Sequence, residues 1–139
     1  MTNMRTATFR VGAALMLSAA SLASGSGTAG AEPTGHEVKY ILSSATGASF
    51  QVNYLTAAPA SMDALNADPY AFLKKEAVPT PWEFTVTLQD PQWATIDASI
   101  GFHRASAQPN PHCEIQVDGQ VVVQADGPYT ARCQLGNWN

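Results

Sequence analysis

Apolar and polar residues alternate in seven short runs between Glu37 and Leu135, the period of a strand that buries one face. "EVKYILS" sets Val38, Tyr40 and Leu42 on one side, and "SFQVNYL" does the same with Phe50, Val52 and Tyr54; "ATGA" between them supplies a turn. In "WEFTVTL", Trp82, Phe84, Val86 and Leu88 oppose Glu83, Thr85 and Thr87, after a "VPTP" entry that its prolines hold extended. Asp90-Pro91 ends that run. "WATIDASIGF" then turns Ala94, Ile96, Ala98, Ile100 and Phe102 inward and Trp93, Thr95, Asp97 and Ser99 outward. By this phase Trp82 is a core anchor and Trp93 lies on the surface. "CEIQV" and "QVVVQA" flank Asp118-Gly119, a two-residue hairpin turn, and "YTARCQL" follows Asp126-Gly127-Pro128. Short strands of period two without a long helical pattern predict an all-β fold, an antiparallel β-sandwich of about seven strands, with a closed barrel as the alternative.

One segment breaks the pattern. Thr56 to Pro81 is long for a connection in a compact domain. Within it Asp68 suits an N-cap and Pro69 the first helical position, so "DPYAFLKKEA" reads as a short helix between the second and third strands, with Lys74 and Lys75 near its C-terminal end. Two roles stay open for it. Tyr70, Phe72 and Leu73 either tuck the excursion onto the sandwich, or the excursion is a recognition surface on a rigid scaffold. In the second case Tyr70 and Phe72, with Trp93, form the candidate binding surface.

Cys113 and Cys133 both fall on the inward phase of their strands. In a flat meander of the last three strands, Cys113 lies level with Gln124, and Cys133 ends roughly 13 Å along and roughly 10 Å across from it. A disulfide needs Cα atoms within about 7 Å. The conflict vanishes if the chain crosses to the facing sheet at Asp126-Gly127-Pro128, so that the two cysteines bridge the sheets as a staple.

The N-terminus supports an oxidising compartment. Arg5 and Arg10 precede the apolar run from Val11 to Ala23, and Ala29-Gly30-Ala31 follows as a small-residue cleavage site. As a helix the run spans about 20 Å, short of roughly 30 Å of hydrocarbon. Residues 1–31 are therefore read as a signal peptide and residues 32–139 as one secreted or periplasmic domain, with no integral membrane span after cleavage. Without Arg5 and Arg10, the seven basic residues fall to five against eleven acids, a formal charge of −6. That balance opposes nucleic acid as a partner.

Candidate chemistry is sparse. His36, His103 and His112 are the only histidines, and His112-Cys113 is the only adjacency of histidine and thiol. An oxidised, inward Cys113 is no metal ligand. His103 and His112 flank the polar connection "RASAQPNP", where solvated loop histidines are the simpler reading than a catalytic base. Asp97 and Glu114 sit on polar strand faces without the spacing of an acid and base pair. No catalytic residue, metal or cofactor is implied, and the protein is read as no enzyme.

"FQVNYL", "VPTPWEFTVTL", "CEIQVDGQVVVQ" and "YTARCQL", in that order, resemble the extracytoplasmic domain of the MmpS family, small mycobacterial membrane proteins that accompany MmpL transporters. The matching features are Asn53-Tyr54, Pro81-Trp82, and the succession of cysteine, Asp118-Gly119 and terminal cysteine. The resemblance implies an immunoglobulin-like β-sandwich and a non-enzymatic accessory role in the cell envelope, with an MmpL-type transporter as partner and a siderophore or lipid as cargo. The chain departs from that family in its cleavable signal and in its longer excursion from Met62 to Ala77. The alternative function is a secreted binding protein for an apolar or amphiphilic ligand.

Overall fold

The computed structural model describes residues 34–100 and 107–139. The expected signal peptide, the inward Phe102 and the loop residue His103 lie outside the described residues. The described residues form eight strands: β1 (His36–Ser44), β2 (Phe50–Leu55), β3 (Leu73–Val78), β4 (Trp82–Leu88), β5 (Thr95–Ser99), β6 (Pro111–Val117), β7 (Gln120–Asp126) and β8 (Thr130–Gln134). They make two four-stranded antiparallel sheets, ordered β4-β1-β6-β7 and β3-β2-β5-β8. The fold is a β-sandwich, as the alternation predicts. Val38, Tyr40 and Leu42 of β1, Cys113 and Ile115 of β6, Val52 and Tyr54 of β2, and Ile96 and Ala98 of β5 fill the space between the sheets and are fully buried.

The excursion differs from the expected helix over residues 68–77. The one α-helix among the described residues, α1, is Met62–Ala67, capped by Ser61, whose hydroxyl accepts from the Ala64 amide at 3.1 Å. Asp68 makes no side-chain cap, and Pro69–Ala71 forms only a 3-10 turn. Leu73–Val78 is extended and pairs with β2, from Leu55 opposite Leu73 to Phe50 opposite Val78. "LKKEAV" is compatible with a helix by propensity, but pairing with the open edge of β2 satisfies its backbone and buries Val78. This strand accounts for the eighth. It also turns Glu76 toward the core edge, where Tyr54 donates its hydroxyl to the Glu76 carboxylate. Burial, and then that carboxylate, push the Tyr54 phenol above its usual range.

β4 keeps the expected phase but not the expected depth. It is the edge of its sheet, so Trp82 is half-buried; its ring centroid lies 5.0 Å from that of Tyr54, and it stacks parallel to Phe84. Trp93 is the reverse of its expectation: it is buried, at 8% exposure. Residues Pro91–Trp93 are a 3-10 turn, capped by Asp90, whose carboxylate accepts from the Gln92 amide at 3.0 Å. The strand begins only at Thr95, so a period-two count cannot be carried back through the turn to Trp93.

The last three strands resolve the cysteine geometry. Asp118 (φ 52°) and Gly119 (φ 86°) both adopt the left-handed region that a tight hairpin turn demands. Asp118 is also tied to the start of β1: its carboxylate takes His36 Nδ1 at 2.6 Å and the Glu37 amide at 2.9 Å. The His36 contact, aided by that amide, lowers the Asp118 pKa. A bulge at Val122 sets Cys113 opposite Ala125, one residue beyond the register of a regular hairpin. At Gly127 the chain crosses to the other sheet, held by Gly127 N to Pro111 O (3.2 Å) and Asn110 N to Pro128 O (3.1 Å). A Cβ at Gly127 would lie 1.9 Å from the Thr130 carbonyl oxygen, so only glycine fits the crossing. Cys113 of β6 and Cys133 of β8 form the disulfide between the sheets.

Candidate functional site

Antiparallel register on the outer face of the β3-β2-β5-β8 sheet sets Lys75, Asn53, Asp97 and Arg132 side by side across all four strands. Arg132 donates from Nε (3.0 Å) and Nη2 (2.7 Å) to the same oxygen, Oδ2, of Asp97. Beside this row lies an open groove of about 230 Å³, lined by Asn53, Leu73, Thr95, Asp97, Arg132, Gln134 and Trp138. Thr95 stands out as a polar residue inside the wall of the sandwich, buried to 8% exposure.

Trp138 comes from the C-terminal 3-10 turn, Gly136–Trp138, which is docked on the β4–β5 corner. Leu135 N donates to Ala94 O (3.0 Å), Gly136 N to the Gln92 side chain (3.0 Å) and Asn137 Nδ2 to Asp90 Oδ2 (3.1 Å). The indole Nε1 of Trp138 donates to Trp93 O at 2.6 Å, and the two rings meet edge to face with centroids 6.0 Å apart. On the Trp93 side a second open groove, of about 440 Å³, runs between the start of the excursion and the β4–β5 corner. Thr56, Ala57, Ala58, Pro59 and Ala60 form one wall; Thr87, Gln89 and Asp90 form the other, with Trp93 between them.

The expected binding residues are thus divided. Trp93 does line a groove, but from within the core rather than from an exposed sheet face. Phe72 packs against the core, and its carbonyl accepts from the Thr56 amide at 2.8 Å, which shapes the excursion wall. Tyr70 is 86% exposed and lines neither groove. Trp138 was not signalled by any alternating run; the only hint is an aromatic residue placed just beyond the Leu135-Gly136 break.

The outer face of the other sheet carries a titratable cluster around His112. His112 Nδ1 lies 2.6 Å from Asp126 and Nε2 lies 3.3 Å from Glu114. The Asp126 contact, with Glu114 in support and partial burial opposing, raises the His112 pKa above the usual histidine value. Among the described residues no group of three or more histidine, cysteine or acidic side chains is arranged to hold a metal ion. No helix of the described residues is long and apolar enough to cross a membrane.

The sequence matches the Rv2576c beta-sandwich domain over residues 40–133, from the middle of β1 to the second cysteine. It is 38% identical over 113 residues to the uncharacterized protein Rv2576c of Mycobacterium tuberculosis (strain ATCC 25618 / H37Rv), an alignment covering 78% of this chain and 71% of that one. The uncharacterized protein Mb2606c of Mycobacterium bovis is similar to the same extent. These matches overturn the resemblance to the MmpS family, and with it the basis for an MmpL-type partner. Alternating strands, an Asp-Gly hairpin and a pair of inward cysteines are what any disulfide-stapled sandwich requires, so their order did not discriminate between families. The match to the domain and the identity across most of both chains agree: the chain belongs to the Rv2576c beta-sandwich domain family.

Proposed function

We propose that this protein is a non-enzymatic, exported accessory protein of the cell envelope that works by capturing an amphiphilic ligand in the two grooves beside Trp93 and Trp138. The observation that carries the reading is the hydrogen-bonded tryptophan pair, with Trp93 lining one groove and Trp138 the other. Methyl-bearing residues of Ala57 to Ala60 wall the first groove, while Asp97 and Arg132 bring charge to the second. A ligand with an apolar and a polar end matches that division. Export rests on the signal peptide expected in the sequence and is in keeping with the disulfide.

Tryptophan emission titrated with a lysophospholipid below its micellar concentration tests the reading. The expected result is a saturable change that weakens by about tenfold in Ala60→Phe, a substitution on the exposed groove wall that leaves the thermal midpoint within a few degrees. A wild-type protein without a saturable response, or an Ala60→Phe variant that binds unchanged, would overturn it.

A further inference from the structure

Apart from the buried tyrosines, whose hydroxyls donate to the Leu55 carbonyl and to Glu76, Thr95 is the one buried polar residue among the described residues, and its hydroxyl has no hydrogen-bond partner among them. A buried hydroxyl left unpaired is costly, and natural structures rarely keep one without a use. Here the unpaired hydroxyl lines the groove of Asn53, Asp97, Arg132, Gln134 and Trp138. The side-chain amides of Asn53 and Gln134 are likewise without partners among the described residues. The groove therefore offers three groups that each both donate and accept, or can turn to do so, together with a carboxylate that accepts and a guanidinium that donates.

Charge narrows the ligand. Arg132 is already neutralised by two hydrogen bonds to Asp97, so an anion would meet the Asp97 carboxylate and a cation would meet Arg132. A flat apolar ring would leave Thr95 and Asn53 unpaired. A neutral ring carrying several hydroxyls satisfies all of them at once, since each hydroxyl is donor and acceptor together. The indole of Trp138, held in place by its bond to Trp93 O, adds a rigid aromatic wall of the sort that C–H faces pack against. At about 230 Å³ the groove is below the roughly 300–1,000 Å³ of pockets that enclose larger ligands, and it suits one ring.

We propose that this groove binds a single neutral sugar ring, presented either as the headgroup of a glycolipid or as a free saccharide. The proposal rests on the binding-protein reading above and names the polar end of its ligand.

The test is NMR of the oxidised, isotope-labelled protein titrated at millimolar concentrations with methyl glycosides of glucose, galactose, mannose and arabinose. Octyl glucoside below its micellar concentration distinguishes the glycolipid source, and inorganic phosphate and tetramethylammonium serve as charged probes. The expected result is a saturable, common shift of the Asn53, Thr95 and Asp97 amides and the Trp138 indole with at least one glycoside. Thr95→Val should weaken it by about tenfold, as should Gln134→Ala. Thr95→Val is close to isosteric and removes the unpaired hydroxyl, so its thermal midpoint should be unchanged or higher. Tighter binding of the octyl than the methyl glycoside assigns the glycolipid source, and equal binding assigns the free saccharide. No saturable shift with any glycoside, full binding by Thr95→Val, or tighter binding of phosphate or tetramethylammonium at the same residues would overturn the proposal. An octyl glucoside response confined to Trp93 and residues 56–60 would remove the sugar site and leave the binding-protein reading intact; no response at either groove, with lysophospholipid also inert, would remove both.

Discussion

Cys113 and Cys133, with Cα atoms 6.1 Å apart, join strands that belong to opposite sheets and share no backbone hydrogen bonds. The bond therefore restrains the separation of the layers, which strand pairing does not. It closes a loop with a sequence separation of 20 residues, for which chain entropy gives about 3 kcal/mol. Denaturant unfolding of the double variant Cys113→Ala/Cys133→Ala should show a loss of that size, and the intact wild-type mass should lack two hydrogens. An unchanged midpoint would mean that the packed tyrosines and leucines hold the sheets alone.

Trp82, at the start of β4, and Trp93, in the turn that leads into β5, should respond unequally. The Trp93 ring is buried and packs edge to face on Trp138, so Trp93→Ala should cost about 3–5 kcal/mol, although its backbone carbonyl remains to accept the Trp138 indole hydrogen. Trp82 lies half-exposed on the edge strand, and Trp82→Ala should cost less, chiefly through its contacts with Tyr54 and Phe84. Chemical denaturation of both variants checks the order. A larger loss for Trp82→Ala would place the main aromatic anchor at the β4 edge.

This contrast also marks where sequence reading stops. Strand phase was legible wherever residues were truly extended: Ile96, Ala98, Cys113, Ile115 and Cys133 all point inward as counted, and Asp97 and Arg132 point outward. The sheet crossing at Gly127 was legible too, because distance alone forbids a disulfide in a flat meander. Trp93 was not, since the Asp90-capped turn breaks the period on which the count depends. Nor was β3, where the free edge of β2 decided against a helix that "FLKKEA" would allow. The candidate site was half legible: Thr95, Asp97 and Arg132 follow from phase, whereas Trp138 arrives by a terminal turn docked through side chains far away in sequence.

The His112 cluster gives a pH dependence with a definite sign. Its folded-state pKa is raised by Asp126, with help from Glu114, above the roughly 6.5 of an unfolded histidine. The contribution to stability is then complete below about pH 6.5 and is lost as pH rises through the folded-state value. In Asp126→Asn the NMR midpoint of His112 should fall, and the wild-type advantage in thermal midpoint should shrink over the same rise in pH. An equal midpoint in the two proteins would show that Asp126 does not hold the imidazolium.

Tyr70 and Phe72 are two residues apart and should behave oppositely. Tyr70 is 86% exposed on its 3-10 turn, so Tyr70→Ala should shift stability by no more than about 0.5 kcal/mol. Phe72 packs against the core, and Phe72→Ala should cost about 1–3 kcal/mol. The Phe72 ring also anchors the backbone whose carbonyl holds Thr56, at the head of the groove wall, so loosening that anchor should weaken ligand capture while Tyr70→Ala leaves it unchanged. Thermal melts and the lysophospholipid titration, run on both, separate the packing role from a direct contact at Tyr70.

Asp90 couples the two grooves through one carboxylate. Oδ1 caps the turn that carries Trp93, accepting from Gln92 N at 3.0 Å, while Oδ2 accepts from Asn137 at 3.1 Å and so holds the turn that carries Trp138. Loss of an N-cap side chain alone costs about 0.5–2 kcal/mol. Asp90→Ala should lose at least that, and amide hydrogen exchange over residues 136–138 should accelerate because the terminal turn keeps only its bonds to Ala94, Gln92 and Trp93. Asp90→Asn restores a competent cap and a polar partner for Asn137, so it should recover most of both losses. If exchange at residues 136–138 is the same in Asp90→Ala as in the wild type, the Trp138 indole bond to the Trp93 carbonyl holds the terminal turn without help from the corner.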